Sequence, residues 1–252
     1  MNWTTVYEKF HRYLHLYNFP VGVTLFEKRE NVPASVRWIN RKVNVCQQVA
    51  LARLYGWTSA SSPEEQVCVL GASSVGLINV PRRVREGKIN YGVYQKDLAA
   101  AKRMQEHLPK MSQRHEALVT FSLTRVPEGL APKVIIIYGN STQMMRLIQA
   151  SLWEHGGELR MASSGDGGVC CRGIAQTLMT NNPTLEIPCL GDRRFAVTQD
   201  TELIFAFPAT MASEILEGLK ATYTAGSRYP IPTQMDWAPH MPEGFFVIAE
   251  DY

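Results

Sequence analysis

Five side chains stand out for the chemistry they could support: Cys46, Cys68, Cys170, Cys171 and Cys189. A thiol that loses its proton becomes a soft metal ligand and a strong nucleophile. No Cys-x-x-Cys pair occurs. That removes the thioredoxin-like motif, the zinc ribbon and the ferredoxin-type run together. The spacing follows a different pattern. Val45-Cys46 opens a predicted helix, and 22 residues later Cys68-Val-Leu-Gly71 closes a predicted strand. Val169-Cys170 opens another, and 19 residues later Cys189-Leu-Gly191 again closes a predicted strand. A thiol at a helix start is expected to be stabilised as thiolate by the helix dipole. Two such thiols, Cys46 and Cys170, brought together with the two strand-end thiols, Cys68 and Cys189, suit an iron–sulfur cluster, with tetrahedral zinc as the alternative. A single reactive thiol, or thiols serving only as small buried apolar groups, are the competing readings.

A second set of residues points to small anions. Gly165-Asp-Gly-Gly168 precedes a helix, so Gly167 and Gly168 can offer backbone N–H groups. Arg193 and Arg194 follow Cys189 and can bind a carboxylate or phosphate, or pair with Asp192 or Asp200. Tyr138-Gly139-Asn140 ends the most apolar predicted strand, a position where ligands collect in open α/β sheets. Together these suggest a binding site or enzyme for a small anionic metabolite. The glycine loop lacks the endings of a P-loop or a dinucleotide fingerprint. His11 and His15 share a helix at a chelating spacing, but no His-Glu-x-x-His surrounds them, and they read as surface groups.

These residues need elements to hold them. Apolar spacing predicts helices over Thr4–Tyr17, from Cys46 to Tyr55, over Asp97–Leu108, after Asn140, around Cys170–Leu178 and over Ala212–Thr222. Strands are predicted at Val21–Glu27, around Gln66–Leu70, and at Ala117–Leu123, Val134–Tyr138 and Glu202–Phe207. The fold class is α+β, a mixed α/β chain of one domain over 1–252. Two loosely repeated halves, 19–126 and 132–226, are expected to pack around a central mixed sheet. An extended tail, 229–252, ends in the apolar run Gly244–Ala249, either a last strand or an arm laid on another subunit.

The first 130 residues carry 18 Lys and Arg against 10 Asp and Glu; the remainder carries 8 against 13. An anionic partner for the first half and halves that face each other both fit this split. The basic residues come with no nucleic-acid-binding motif, so nucleic acid is not expected. No apolar stretch is long enough for a membrane span and no leader is visible, so a cytoplasmic location is expected. The expected partners are further copies of the chain and a redox partner protein. A non-catalytic assembly subunit is the third functional reading.

Taken together, Cys46 with Ala50, Cys68-x-x-Gly71 with Gly76-Leu77, Tyr138-Gly139-Asn140 with Gln143-Met144, Gly168-Val169-Cys170, and Pro188-Cys189-x-Gly191-x-Arg193 carry a resemblance. From about Phe19 to Tyr229 the chain resembles the family called domain of unknown function 169, the uncharacterised ArCR proteins. The resemblance implies no activity. It does imply that Cys46, Cys68, Cys170 and Cys189 belong together as a set, with Cys171 an addition.

Overall fold

A computed structural model of the chain describes residues 1–231 and 243–245. The expected α+β class holds: helices cover a seven-stranded mixed sheet. The strands are β1 (Val21–Phe26), β2 (Arg37–Trp38), β3 (Ser59–Ser61), β4 (Ala117–Ser122), β5 (Val134–Gly139), β6 (Thr184–Glu186) and β7 (Leu203–Pro208). Their order across the sheet is β2-β3-β4-β1-β5-β7-β6. The central pair, β1 and β5, is antiparallel, with Gly22 opposite Ile135. Read outward from that pair, β1, β4, β3 on one side match β5, β7, β6 on the other. Each neighbouring pair in both runs is antiparallel. Only β2, parallel to β3, has no counterpart. The Gly244–Ala249 run falls largely outside the described residues.

β5 shows why its sequence is continuously apolar. Ile135 and Ile137 enter one core, with α1 (Trp3–Leu14), α6 (Ser141–Ser151) and α9 (Ala212–Thr224). Val134, Ile136 and Tyr138 enter the other, with α2 (Val45–Tyr55), α3 (Val69–Ser74) and a π-helical segment, Gly168–Gln176. A strand covered on both faces has no solvent side on which to place polar residues. At the centre, Gly22 of β1 is required by close approach: a Cβ there would run into the ring of Phe121 on β4. The remaining helices are α4 (Arg82–Arg85), α5 (Leu98–His107), α7 (Thr177–Thr180), which continues the π-helical segment, and α8 (Leu190–Ala196).

Two expected strand ends are helix starts instead. Gln66 makes only an isolated bridge to Val43, and Val67 is exposed. Cys68 then caps α3, its sulfur accepting from the N–H of Gly71 at 3.4 Å. In the second half β6 ends at Glu186, and Cys189 caps α8. Small buried residues explain the first case. Gly71, Ala72, Ser73 and Ser74 let α3 press against α2 and the π-helical segment, as a strand could not. Arg82–Arg85 forms the short helix α4, with Val84 buried.

Candidate metal centre

Cys46 is held by the anchoring of α2. Asn44 and Gln47 close a capping box at the start of that helix. One turn in, buried Gln48 donates to the carbonyls of Ser59 on β3 and Leu118 on β4 at 2.9 and 3.0 Å, and accepts from Ser61 at 2.6 Å. Every polar atom of that amide therefore ties α2 to the sheet, which fixes the axial position of Cys46. The Cys46 thiol donates to the Gly191 carbonyl of α8 at 3.7 Å. Gly71 of α3 packs against Val45 and the Cβ of Cys170. In this way the starts of α2, α3, α8 and the π-helical segment meet on one face of the sheet.

The π-helical segment turns both Cys170 and Cys171 inward. Cys171 and Arg172 both donate to the Gly167 carbonyl, the wide-turn pattern that recurs at functional sites. The two sulfurs lie 3.8 Å apart. The Cys171 sulfur is engaged by the Ser74 hydroxyl at 2.9 Å; the fields of Cys68 and Cys189 reach Cys170, and that of Cys171 reaches Cys68.

Asp192 organises the remaining corner. It occupies the third position of α8, where its N–H donates to the Cys189 sulfur and its carboxylate accepts from the Cys189 N–H at 3.1 Å. The same oxygen accepts from the Val169 N–H at 3.2 Å. The backbone donors that follow the glycine loop are thus taken by an internal carboxylate. A Cβ on Gly168 would strike that carboxylate, and one on Gly167 would strike the Cys171 sulfur.

Electrostatics describe one connected group. Burial raises the Cys46 thiol far above its ordinary value, and repulsion from Asp192, Cys189 and Cys68 adds to it. Burial and Asp192 push Cys189 up to about 12. Burial also raises Cys68, and the hydrogen bond with Cys171, with burial, holds Cys170 well above its usual range. The expectation that helix starts would stabilise thiolates is corrected here: desolvation and crowding by like charge outweigh the dipole. No lysine or arginine figures among the main influences on any of the four. Tyr94 faces Cys189, Cys68 and Asp166 from the solvent side, and Cys46, Cys68 and Cys189 are only partly buried, so the group is accessible.

The other expected site residues scatter. Arg193 donates to the Gln199 carbonyl at 2.8 Å and faces exposed Asp200 at 3.6 Å. Arg194 lies beside Phe195 on the outer side of α8. Tyr138, Gly139 and Asn140 line a cavity of about 220 Å³ with Arg53 and Glu202. Arg53 pairs with Glu202 at 2.9 Å and stacks over the Tyr138 ring at 4.2 Å, while Asn140 caps α6. Burial raises the Tyr138 phenol, and the field of nearby Asp192 adds to it. Sequence reasoning passed over Ser74 and Arg53, and took Asp192 only as a partner for Arg193 or Arg194. Only Asp192 left a signal: Cys-x-x-Asp at a helix start is a capping box with sulfur in place of the hydroxyl.

An α+β sheet protein with cysteines at the starts of α2, α3, α8 and the π-helical segment is thereby defined. The chain belongs to the family domain of unknown function 169, uncharacterised ArCR, whose model matches residues 9–218. It is similar to the uncharacterized protein MJ0308 of Methanocaldococcus jannaschii, 26% identical over 203 residues, covering 79% of this chain and 86% of that protein. No solved structure matches at a significant level. Among the described residues no helix is long and apolar enough to cross a membrane.

Proposed function

We propose that this protein binds an iron–sulfur cluster through Cys46, Cys68, Cys170 and Cys189, and serves as a redox or accessory protein. The observation that carries this reading is the convergence of four largely desolvated thiols at the starts of α2, α3, α8 and the π-helical segment, beside the buried Asp192 carboxyl. Such a group is unfavourable as free thiolates and favourable around a cationic core, whose binding displaces the protons. The spacing speaks against zinc. Zinc with bonds of about 2.3 Å needs its four sulfurs about 3.8 Å apart. Among the described residues, no three of these sulfurs lie within 4.8 Å of one another. The backbone N–H groups that point at Cys68 and Cys189 are the kind of donor that tunes a cluster's potential.

Protein purified without oxygen is expected to carry iron and acid-labile sulfide in equal amounts, with absorbance near ~400 nm. Serine at Cys46, Cys68, Cys170 or Cys189 should abolish or convert that signal, and Cys171→Ser should leave it. Colourless, iron-free protein of undiminished stability, after attempted reconstitution with ferrous iron and sulfide, would overturn the reading.

A further inference from the structure

A second concave site lies away from the thiols. A cleft of about 1150 Å³ opens at the β2 edge of the sheet, walled by β2, the loop after α2 and the loop after β4. Its chemistry is specific. Arg37, Arg41 and Arg125 line it, and Glu128 is its single acidic residue. None of these arginines makes an ion pair among the described residues. Trp38 and Trp57 line it too, and Trp57 is 55% exposed. Arg29 stacks on Trp38 at 4.2 Å, a fourth guanidinium beside the cleft.

We infer that this cleft binds a planar aromatic ring carrying phosphate groups, a ligand of mononucleotide size. Each part of the inference answers to a named group. A half-exposed indole in a concave wall is apolar area that a flat ring would cover, at a typical gain of about 0.5–1.5 kcal/mol beyond area burial. Unpaired guanidiniums are forks that match phosphate oxygens in pairs. The lining side chains sum to two net positive charges, which calls for an anion and not for a neutral aromatic. The volume exceeds the usual range for a drug-sized ligand, so a nucleotide fits without rearrangement. The basic surplus of the first half, which the thiol centre does not use, finds a role here. Cys46 and Gly56 lie at opposite ends of α2, about 15 Å apart at 1.5 Å per residue. The cleft therefore stands or falls independently of the thiol centre.

The test is titration of the full-length protein with FMN, NADPH and ATP, followed by tryptophan fluorescence and calorimetry. At least one is expected to bind one-to-one and quench Trp57, with affinity that weakens as salt is added. Arg37→Ala with Arg125→Ala should weaken that ligand at least tenfold, as should Trp57→Ala, while inorganic phosphate alone binds far more weakly. The thermal unfolding of the variants should match wild type, because these side chains are exposed. Absence of binding by all three compounds at millimolar concentration would overturn the inference, whatever the variants do. So would binding that the variants leave intact, or tighter binding of a uridine oligonucleotide than of any mononucleotide.

Discussion

Asp192 is the residue on which the thiol centre turns. It is buried, its carboxyl is raised by that burial, and its oxygen is shared by two backbone donors from different segments. Its charge also helps to keep Cys46 and Cys189 protonated. This has a consequence for stability in the metal-free protein. A thiol whose folded pKa lies above its unfolded one stabilises the fold fully below the unfolded value. The contribution is lost as pH rises through the folded value. For Cys189 that window runs from 9.0 to about 12. Thermal unfolding of metal-free wild type should therefore fall steeply between pH 9 and pH 11, and Cys189→Ser should fall less. Metal loading reverses the sign, since ligands must shed protons, and loaded protein should lose its metal as pH is lowered. Equal alkaline losses in wild type and variant would show that Cys189 is not held as described. At this scale the sequence drew attention to the cysteines, but their protonation was not legible in it. Burial decided that, and burial depends on which helices meet.

Among the elements, β5 was legible from composition because a doubly covered strand has nowhere to place a polar residue. α3 and α8 were not. Each starts on a cysteine, whose sulfur accepts weakly and does not read as the usual serine, threonine or aspartate cap. The π-helical segment left no mark in spacing, since one widened turn shifts the pattern by a single residue. The contact between α6 and α9 hides a similar surprise in Arg146, fully buried between them. Its guanidinium donates to Thr222 Oγ1 at 2.7 Å and to the Leu219 carbonyl at 3.0 Å, with no carboxylate paired to it among the described residues. Arg146→Ala should destabilise the protein by about 2–4 kcal/mol in urea denaturation, from the vacated volume and the lost hydrogen bonds. Arg146→Met, which refills the space, should cost less. A neutral alanine variant would mean that α9 repacks against α6 without it.

For the whole molecule, the strand order on one side of β1 and β5 repeats on the other, and each side supplies two of the four thiols. Twice along the chain a short strand precedes a cysteine-capped helix, β3 before α3 and β6 before α8. A central mixed sheet was expected from the sequence; which strands meet at its centre was not legible, because the bonding of β1 to β5 pairs distant segments. A cofactor held from both sides should therefore stabilise the molecule as a unit. Loaded and metal-free protein should each melt in one calorimetric transition, the loaded one higher. Binding only to the folded state adds about 2.7 kcal/mol at a hundredfold excess over the dissociation constant. Two transitions, with only one moving on loading, would show that the thiols belong to one half alone.

The position of β1 has a consequence for timing. Its residues, 21–26, pair with 117–122 on one side and with 134–136 on the other. At about 5–20 residues per second, a growing chain keeps this strand waiting roughly 5–20 seconds for its nearer partner. Cys46 and Cys68 wait longer still, because Cys189 emerges more than a hundred residues after them. Until then two thiols and an apolar strand stand open to oxidation and to one another's copies on neighbouring ribosomes. The four thiols can meet only after Cys189 has emerged, so a ligand that needed all of them would have to arrive late in synthesis.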